Sequence, residues 1–271
     1  MDTKLRARKS LGQHWLLDKE ALGNIANAAK LSQKDTVLEV GPGLGTLTQL
    51  LVQKAGKVIA VELDHNLAAQ LTQKIVAPNL KVKEGDILKF ELTKLPRGYK
   101  VVANIPYYLT SHLLRILSES ANPPALMVLL IQKEVAQRVA AMPGRMSLLS
   151  VSVQLHYDIK LGQTLPAHFF KPPPKVDSQV MVLNRRPKPL FTGLDDKEFF
   201  RDVQAGFANL HKKLRSSLSA GLHISKEAAD DLLESADING DLRAESLNLQ
   251  QWHRLYTQVQ VKKDLRSLLS K

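Results

Sequence analysis

Chemistry is most readily placed on two short segments and two isolated acids. Glu39-Val40-Gly41-Pro42-Gly43-Leu44-Gly45 follows an apolar run with the spacing E-x-G-x-G-x-G. Glycines in a tight turn after a strand let backbone N–H groups approach a ligand at the strand's carboxyl end. The spacing departs from the dinucleotide pattern G-x-G-x-x-G, whose third glycine would fall on Thr46, too large for the close helix packing required there. That argues against a dehydrogenase. Glu62 and Asp86 end the next two apolar runs. A carboxylate at the first position can accept from both hydroxyls of a ribose, and one at the second from an adenine amino group. A ligand-free β-α turn explains the glycines alone; the acids add the order that a nucleoside-bearing cofactor needs.

Asn104-Ile105-Pro106-Tyr107 suits a different task. An exocyclic adenine amine is a poor nucleophile, because its lone pair is delocalised into the ring. Hydrogen bonds from that amine to the Asn104 side-chain oxygen and to a backbone carbonyl near Ile105 favour a more pyramidal nitrogen. Pro106 stiffens the loop, and Tyr107 offers a face on which an extruded base can stack. No general base is evident, so catalysis would rest on alignment.

The surrounding elements have to bring these groups together. Residues 18–31 have helical periodicity, 36–40 read as a buried strand, and 46–54 as a helix after the glycine turn. Strands follow at 57–62, 80–83, 100–103 and 125–131, with helices at 65–75, 111–120 and 133–141. Residues 148–157 and 176–183 alternate as strands, and from 195 onward the pattern is helical. Strands alternating with helices predict an α/β fold with a doubly wound, mostly parallel sheet; the two closing strands predict an antiparallel edge. The strand signals stop at Arg185-Arg186-Pro187-Lys188, which divides the chain into domains at 1–186 and 187–271, the second small and all-helical.

Composition narrows the partners. The 271 residues hold 38 Lys+Arg against 26 Asp+Glu, a formal charge of +12, and a surplus of that size suits a polyanion, nucleic acid first and an acidic membrane surface second. The basic runs are dispersed, at Lys4 to Lys9, Lys171 to Lys175, Arg185 to Lys188 and His211 to Arg215. There is no cysteine, which removes disulfides, thiolate nucleophiles and Cys-based metal sites and is compatible with a reducing compartment. Residues 1–9 are basic but short and lack the apolar run of a secretory leader; no stretch approaches the roughly 20 apolar residues of a membrane span. The expectation is a soluble, cytoplasmic protein without a metal.

The glycine turn with Glu62 and Asp86 resembles the S-adenosylmethionine site of class I methyltransferases. Four segments together are similar to the ribosomal RNA adenine-N6 dimethyltransferase family: residues 8–16 (RKSLGQHWL), 39–45, 104–107 and 170–178 (FKPPPKVDS). Residues 243–247 (RAESL), with Trp252 to Tyr256, add a fifth. The resemblance spans nearly the whole chain and fits best the branch that dimethylates two adjacent adenines near the 3′ end of small-subunit (16S) rRNA. It implies a Rossmann-like methyltransferase sheet with a helical RNA-recognition domain, S-adenosyl-L-methionine as cofactor, and a monomer acting on a 30S precursor. By the same resemblance His14, Leu16, Gly41, Gly43, Glu62, Asp86 and Ile87 form the cofactor pocket, Asn104 bridges cofactor and target, and Ile105, Pro106, Tyr107 and Phe170 attend the target base. Where the family often has Gln-Arg-Arg-Lys after the helical-domain phenylalanine, this chain has Ala208-Asn209-Leu210-His211-Lys212, so two arginines are missing. Lys212, Lys213 and Arg215 keep charge nearby. The rival readings are a macrolide-resistance methylase acting on 23S rRNA, a DNA adenine methylase, and an assembly factor that has lost the chemistry.

Overall fold

The computed structural model describes residue 8 and residues 12–269; apart from Arg8, the basic run Lys4 to Lys9 and the following Ser10-Leu11 lie outside the described residues. The chain divides into two compact units, one of Met1–Gln137 with Tyr157–Arg186, the other of Arg138–His156 with Pro187–Lys271.

The first unit begins with β1 (Trp15–Leu16), α1 (Lys19–Ala28), β2 (Thr36–Val40), α2 (Thr46–Lys54), β3 (Lys57–Glu62), α3 (His65–Lys74) and β4 (Leu80–Glu84). It continues through β5 (Lys100–Asn104), α4 (Thr110–Glu119), β6 (Leu126–Gln132) and α5 (Lys133–Val139). After α6 (Leu148–His156), which belongs to the other unit, come β7 (Tyr157–Leu165), β8 (Phe170–Lys171) and β9 (Ser178–Arg185). Seven strands form one sheet in the order β4-β3-β2-β5-β6-β9-β7. The pairs from β4 to β6 are parallel, and β9 runs antiparallel to both β6 and β7. The antiparallel edge expected from two closing strands is present. Its outer member is β7, however, and residues 148–156, expected as a strand, are helix α6.

Near-continuous apolar runs such as Val37-Leu38 and Val101-Val102 are fully buried, as strands covered on both faces must be. Leu22 and Ile25 of α1 and Leu47 and Leu51 of α2 pack on Val37, Val102 and Val128. Asp18 accepts from the Ala21 N–H at 2.8 Å and starts α1; Asp64 accepts from the Asn66 N–H at 2.9 Å and starts α3. After β2 the chain moves outward to β3 and β4, then returns to β5 on the other side of β2. That reversal opens a crevice between the carboxyl ends of β2 and β5, where an open α/β sheet takes its ligand.

The second unit holds α6, α7 (Asp196–Phe207), α8 (Leu214–Leu222), α9 (Lys226–Ser235) and α10 (Leu249–Leu269). Its core centres on Trp252, 1% exposed and stacked on Phe207 at 5.6 Å between ring centroids. The segment Arg243 to Leu247 has a packing role: the Glu245 carbonyl accepts from the N–H groups of Gly144 at 2.8 Å and Met146 at 3.1 Å. Helix α8 lies tight against α7 at Gly221, where an added Cβ would lie 2.6 Å from Cα and 2.8 Å from the carbonyl oxygen of Ala205. Backbone cannot yield as a side chain does, so Gly221→Ala is expected to destabilise by about 1–3 kcal/mol. At Gly23 of α1 the same methyl would meet nothing within 4 Å, and Gly23→Ala is expected to stabilise by about 0.5–1 kcal/mol. Thermal melts of the two variants test the contrast; equal melting temperatures would refute it.

Candidate active site

The glycine turn leaves β2 with Gly41 donating its N–H to the Val61 carbonyl at 2.9 Å, which ties the turn to β3. Gly43 has φ +56°, and a Cβ there would lie 3.0 Å from the Trp15 indole; Gly45 has φ +77°, and a Cβ would come within 2.5 Å of Leu71. Glycine is therefore required twice over, by conformation and by space. Glu62, 5% exposed at the end of β3, accepts from the Gly43 N–H at 3.0 Å through one oxygen and from the Asp64 N–H at 2.9 Å through the other. Burial pushes its pKa up, and the two N–H groups pull against that. A carboxylate has about four acceptor sites, so two remain for ligand hydroxyls.

Asp86 follows β4, accepts from the Leu88 N–H at 2.9 Å and caps the short turn Ile87–Lys89. Across the crevice, Asn104 ends β5 and donates from Nδ2 to the His14 carbonyl at 3.0 Å. A carbonyl only accepts, so this bond fixes the amide orientation and leaves Oδ1 to receive an amine N–H. The Tyr107 hydroxyl lies 2.7 Å from Ser178 Oγ, and its ring stacks on His14 with centroids 5.6 Å apart. His14 Nδ1 donates to the Pro172 carbonyl at 2.8 Å, which places the proton on that nitrogen.

These groups share one cavity of about 200 Å³, walled by residues 12–15, Gly41, Gly43, residues 61–63, 85–88 and 104–109. It brings together every expected site residue except Leu16 and Phe170. Those two are opposite each other in the β1–β8 pair and are 2% and 4% exposed. Leu16 instead accepts from the Thr46 hydroxyl at 3.2 Å and so anchors the start of α2; Phe170 belongs to the apolar core and does not line the cavity. Trp15, Leu63 and Tyr108 line the cavity without having been singled out beforehand. The available signal was adjacency, since each neighbours a residue already placed there.

The cavity fits a methyl donor bearing a nucleoside and an amino acid: exposed backbone at the glycine turn, acceptors at the ends of β3 and β4, and the apolar walls of Leu63 and Ile87 between them. The family model for ribosomal RNA adenine dimethylase matches residues 4–260. The chain belongs to the ribosomal RNA adenine dimethylase family. It is an enzyme, a methyltransferase that uses S-adenosyl-L-methionine. Ribosomal RNA small subunit methyltransferase A of Dehalococcoides mccartyi (strain ATCC BAA-2266 / KCTC 15142 / 195) is 43% identical over 255 residues, 93% of this chain and 88% of that protein. Its counterpart in Shouchella clausii (strain KSM-K16) is 38% identical over 92% of this chain and 88% of its own. Among solved structures, a dimethyladenosine transferase from Plasmodium falciparum aligns with TM-score 0.80 and 26% identity, over 92% of this chain and 98% of its own. The 23S rRNA methyltransferase ErmE aligns with TM-score 0.74 and 29% identity, over 91% and 99%. With ErmE matched over that length, possession of helices after the sheet does not separate this chain from a 23S rRNA methyltransferase; the sequence relatives named above are small-subunit methyltransferases.

One further acid belongs to this dimethylase's glycine turn. Glu39 is 1% exposed, and its Oε2 has no hydrogen-bond partner among the described residues. Burial, reinforced by Glu62 and opposed by the neighbouring Thr48 hydroxyl, pushes its pKa up to about 8. A folded-state pKa raised above the ordinary 4.5 means that the folded chain holds this proton where the unfolded chain has lost it. The group's contribution to stability is then complete below pH 4.5 and is lost as pH rises through about 8. Glu39→Gln, which cannot ionise, is expected to gain melting temperature relative to the parent progressively between those limits. A gap that stays constant with pH would exclude a neutral Glu39.

Proposed function

We propose that this chain transfers methyl groups to the N6 amines of two adjacent adenines near the 3′ end of small-subunit (16S) rRNA, working as a monomer in the cytoplasm on a 30S precursor. The observation that carries the reading is Asn104, whose amide is oriented by the His14 carbonyl and which lines the same cavity as Glu62 and Asp86. S-Adenosylmethionine supplies, when bound, an electrophilic methyl group on a sulfonium. Gly41 and Gly43 lie along its amino-acid part, Glu62 takes the ribose hydroxyls, and Asp86 with Ile87 takes the adenine. His14 buttresses Tyr107 and holds the segment above the cavity.

The target amine donates to Asn104 Oδ1 and to a backbone carbonyl near Ile105, which localises its lone pair and aims it. Pro106 stiffens that carbonyl's loop, and Tyr107 presents to the base the ring face that His14 does not occupy. Phe170, through its pairing with Leu16, sets the floor behind this segment. The amine's proton leaves to solvent after transfer, so orientation supplies the rate enhancement.

The sheet unit carries the chemistry, and the helical part from 187 onward recognises RNA. Arg215 there is held by Asp230 at 3.2 Å and Asp241 at 2.7 Å, and Lys213 by Asp241 at 3.1 Å. Phosphate contacts would fall instead to Lys212 and to Lys171 and Lys175 of the sheet unit. RNA affinity should fall steeply with added salt.

Large-subunit rRNA is the second reading, favoured by the 29% identity to ErmE. Methyl transfer to isolated 30S and 50S precursors, with the modified nucleotides mapped by primer extension, tests the choice. Two adjacent dimethyladenosines in 30S particles are expected; methylation of 50S particles alone would overturn the assignment.

A further inference from the structure

Tyr107 and Tyr108 are neighbours in sequence with opposite surroundings. Tyr107 is tied to Ser178 and stacked on His14. Burial, and then the charge of Asp177, raises its pKa. Tyr108 extends the other way. Its ring carbons come within 3.3 Å of where a Cβ on Gly12 would stand, and the acids that raise its pKa, after burial itself, are Asp86 and Glu62. Those are the carboxylates at the ends of β4 and β3. Tyr108 thus lines the cavity beside Gly12, with the carboxylates that end β3 and β4 on the same cavity's wall.

Its exposure is the second observation. At 60% exposed it is among the large apolar side chains left open to water, and Leu63, 47% exposed, lines the same cavity. An aromatic ring on a cavity rim, held against a glycine that leaves room for it, is placed to cover a planar ligand. Gly12, at φ +56°, has no side chain to fill the place the ring takes.

We propose that Tyr108 covers the nucleoside half of the methyl donor, so that the two tyrosines divide the cavity: Tyr107 faces the target base and Tyr108 closes over the donor. The inference rests on reading the cavity as the donor site. Tyr108 is then a positioning residue with no contact to the reacting nitrogen. Aromatic cover of a base is worth about tenfold or more in affinity, and the ring supplies it with or without its hydroxyl.

Isothermal titration of the full chain with S-adenosylhomocysteine tests this with Tyr108→Ala and Tyr108→Phe. The alanine variant is expected to weaken binding by about tenfold or more and the phenylalanine variant by less than about threefold. In Tyr108→Ala the KM for S-adenosylmethionine should rise by about tenfold or more, with any change in kcat or in the KM for 30S particles smaller than that. Melting of the ligand-free variants checks that the fold is intact, as expected for so exposed a residue. Parent protein that fails to bind S-adenosylhomocysteine would overturn the reading of the cavity itself. If the parent binds normally and Tyr108→Ala binds as well, or raises only the KM for RNA, the cavity reading stands and the role of Tyr108 is refuted.

Discussion

Asn104→Ala is expected to lower the rate of methyl transfer to 30S particles by about a hundred- to a thousand-fold, the scale at which removing one preorganised polar group from a transition state is usually felt. The side chain has two functions, and alanine removes both. Through Nδ2 it holds the His14 carbonyl at 3.0 Å, and through Oδ1 it accepts from the target amine. Without that acceptor the amine stays planar and its lone pair stays in the ring, so a base that still stacks on Tyr107 presents a weak nucleophile. The loss should therefore appear in single-turnover rate more than in RNA affinity. Asn104→Asp separates the two functions. It keeps an acceptor for the amine but sets a carboxylate oxygen against the His14 carbonyl, so it should also weaken S-adenosylhomocysteine binding by loosening residues 12–15. A normal single-turnover rate in Asn104→Ala would remove the amine assignment, whatever the binding data gave.

The strands that position Asn104 were readable because parallel strands are buried on both faces and so appear as unbroken apolar runs. Val58 to Val61 and Leu126 to Ile131 carry that mark, Val37 to Val40 carries it but for the buried Glu39, and each became a strand. Residues 148–156 deceived for a related reason. Val151, Val153 and Leu155 alternate with period two, yet Val151 and Leu155 are also one helical turn apart, and nine residues satisfy both periods. The deciding signal was at the start of the segment, where Ser147 and Ser150 cap each other, Ser150 N–H to Ser147 Oγ at 3.2 Å and Ser147 N–H to Ser150 Oγ at 2.6 Å. The true edge strand, Tyr157–Leu165, hid behind Gly162 and a register break between Leu161 and Thr164. The β1–β8 pair joins residues more than 150 positions apart in two-residue strands, a length at which neither periodicity nor propensity carries a signal.

The site divides similarly. Residues at strand ends could be placed from the alternation of strands and helices, because the sheet's topology alone sends Gly41, Glu62, Asp86 and Asn104 to one edge. Side-chain commitments could not. Nothing in the order of residues says that Glu62 grips the glycine turn, that Asn104 is aimed by the His14 carbonyl, or that Tyr107 and Tyr108 part company; those follow from distances between elements far apart in the chain. Phe170 is the converse case, a residue of a recognisable segment whose ring the packing takes into the core.

Glu62→Ala is expected to weaken S-adenosylhomocysteine binding by about a hundredfold and also to destabilise the ligand-free protein. The two effects have separate causes in one carboxylate. Its oxygens accept from the Gly43 and Asp64 N–H groups at 3.0 and 2.9 Å, in a place only 5% exposed, and each N–H orphaned there costs about 1–3 kcal/mol. The remaining acceptor sites take the ribose hydroxyls, and charge-assisted hydrogen bonds of that kind are worth about 1.5–3 kcal/mol each. Glu62→Gln keeps the size and one acceptor oxygen but turns an NH₂ toward one of the two backbone donors, so it should recover part of the stability and little of the affinity. Ligand-induced stabilisation reads both effects together, since a ligand that binds only the folded chain stabilises it in proportion to the logarithm of one plus its free concentration divided by its Kd. The parent should show a clear upward shift with S-adenosylhomocysteine, and Glu62→Ala should start lower and barely move. A variant that melts with the parent in the absence of ligand would mean that the glycine turn does not depend on Glu62; one that starts lower yet keeps the full shift would leave Glu62 as a prop for the turn and place the ribose elsewhere.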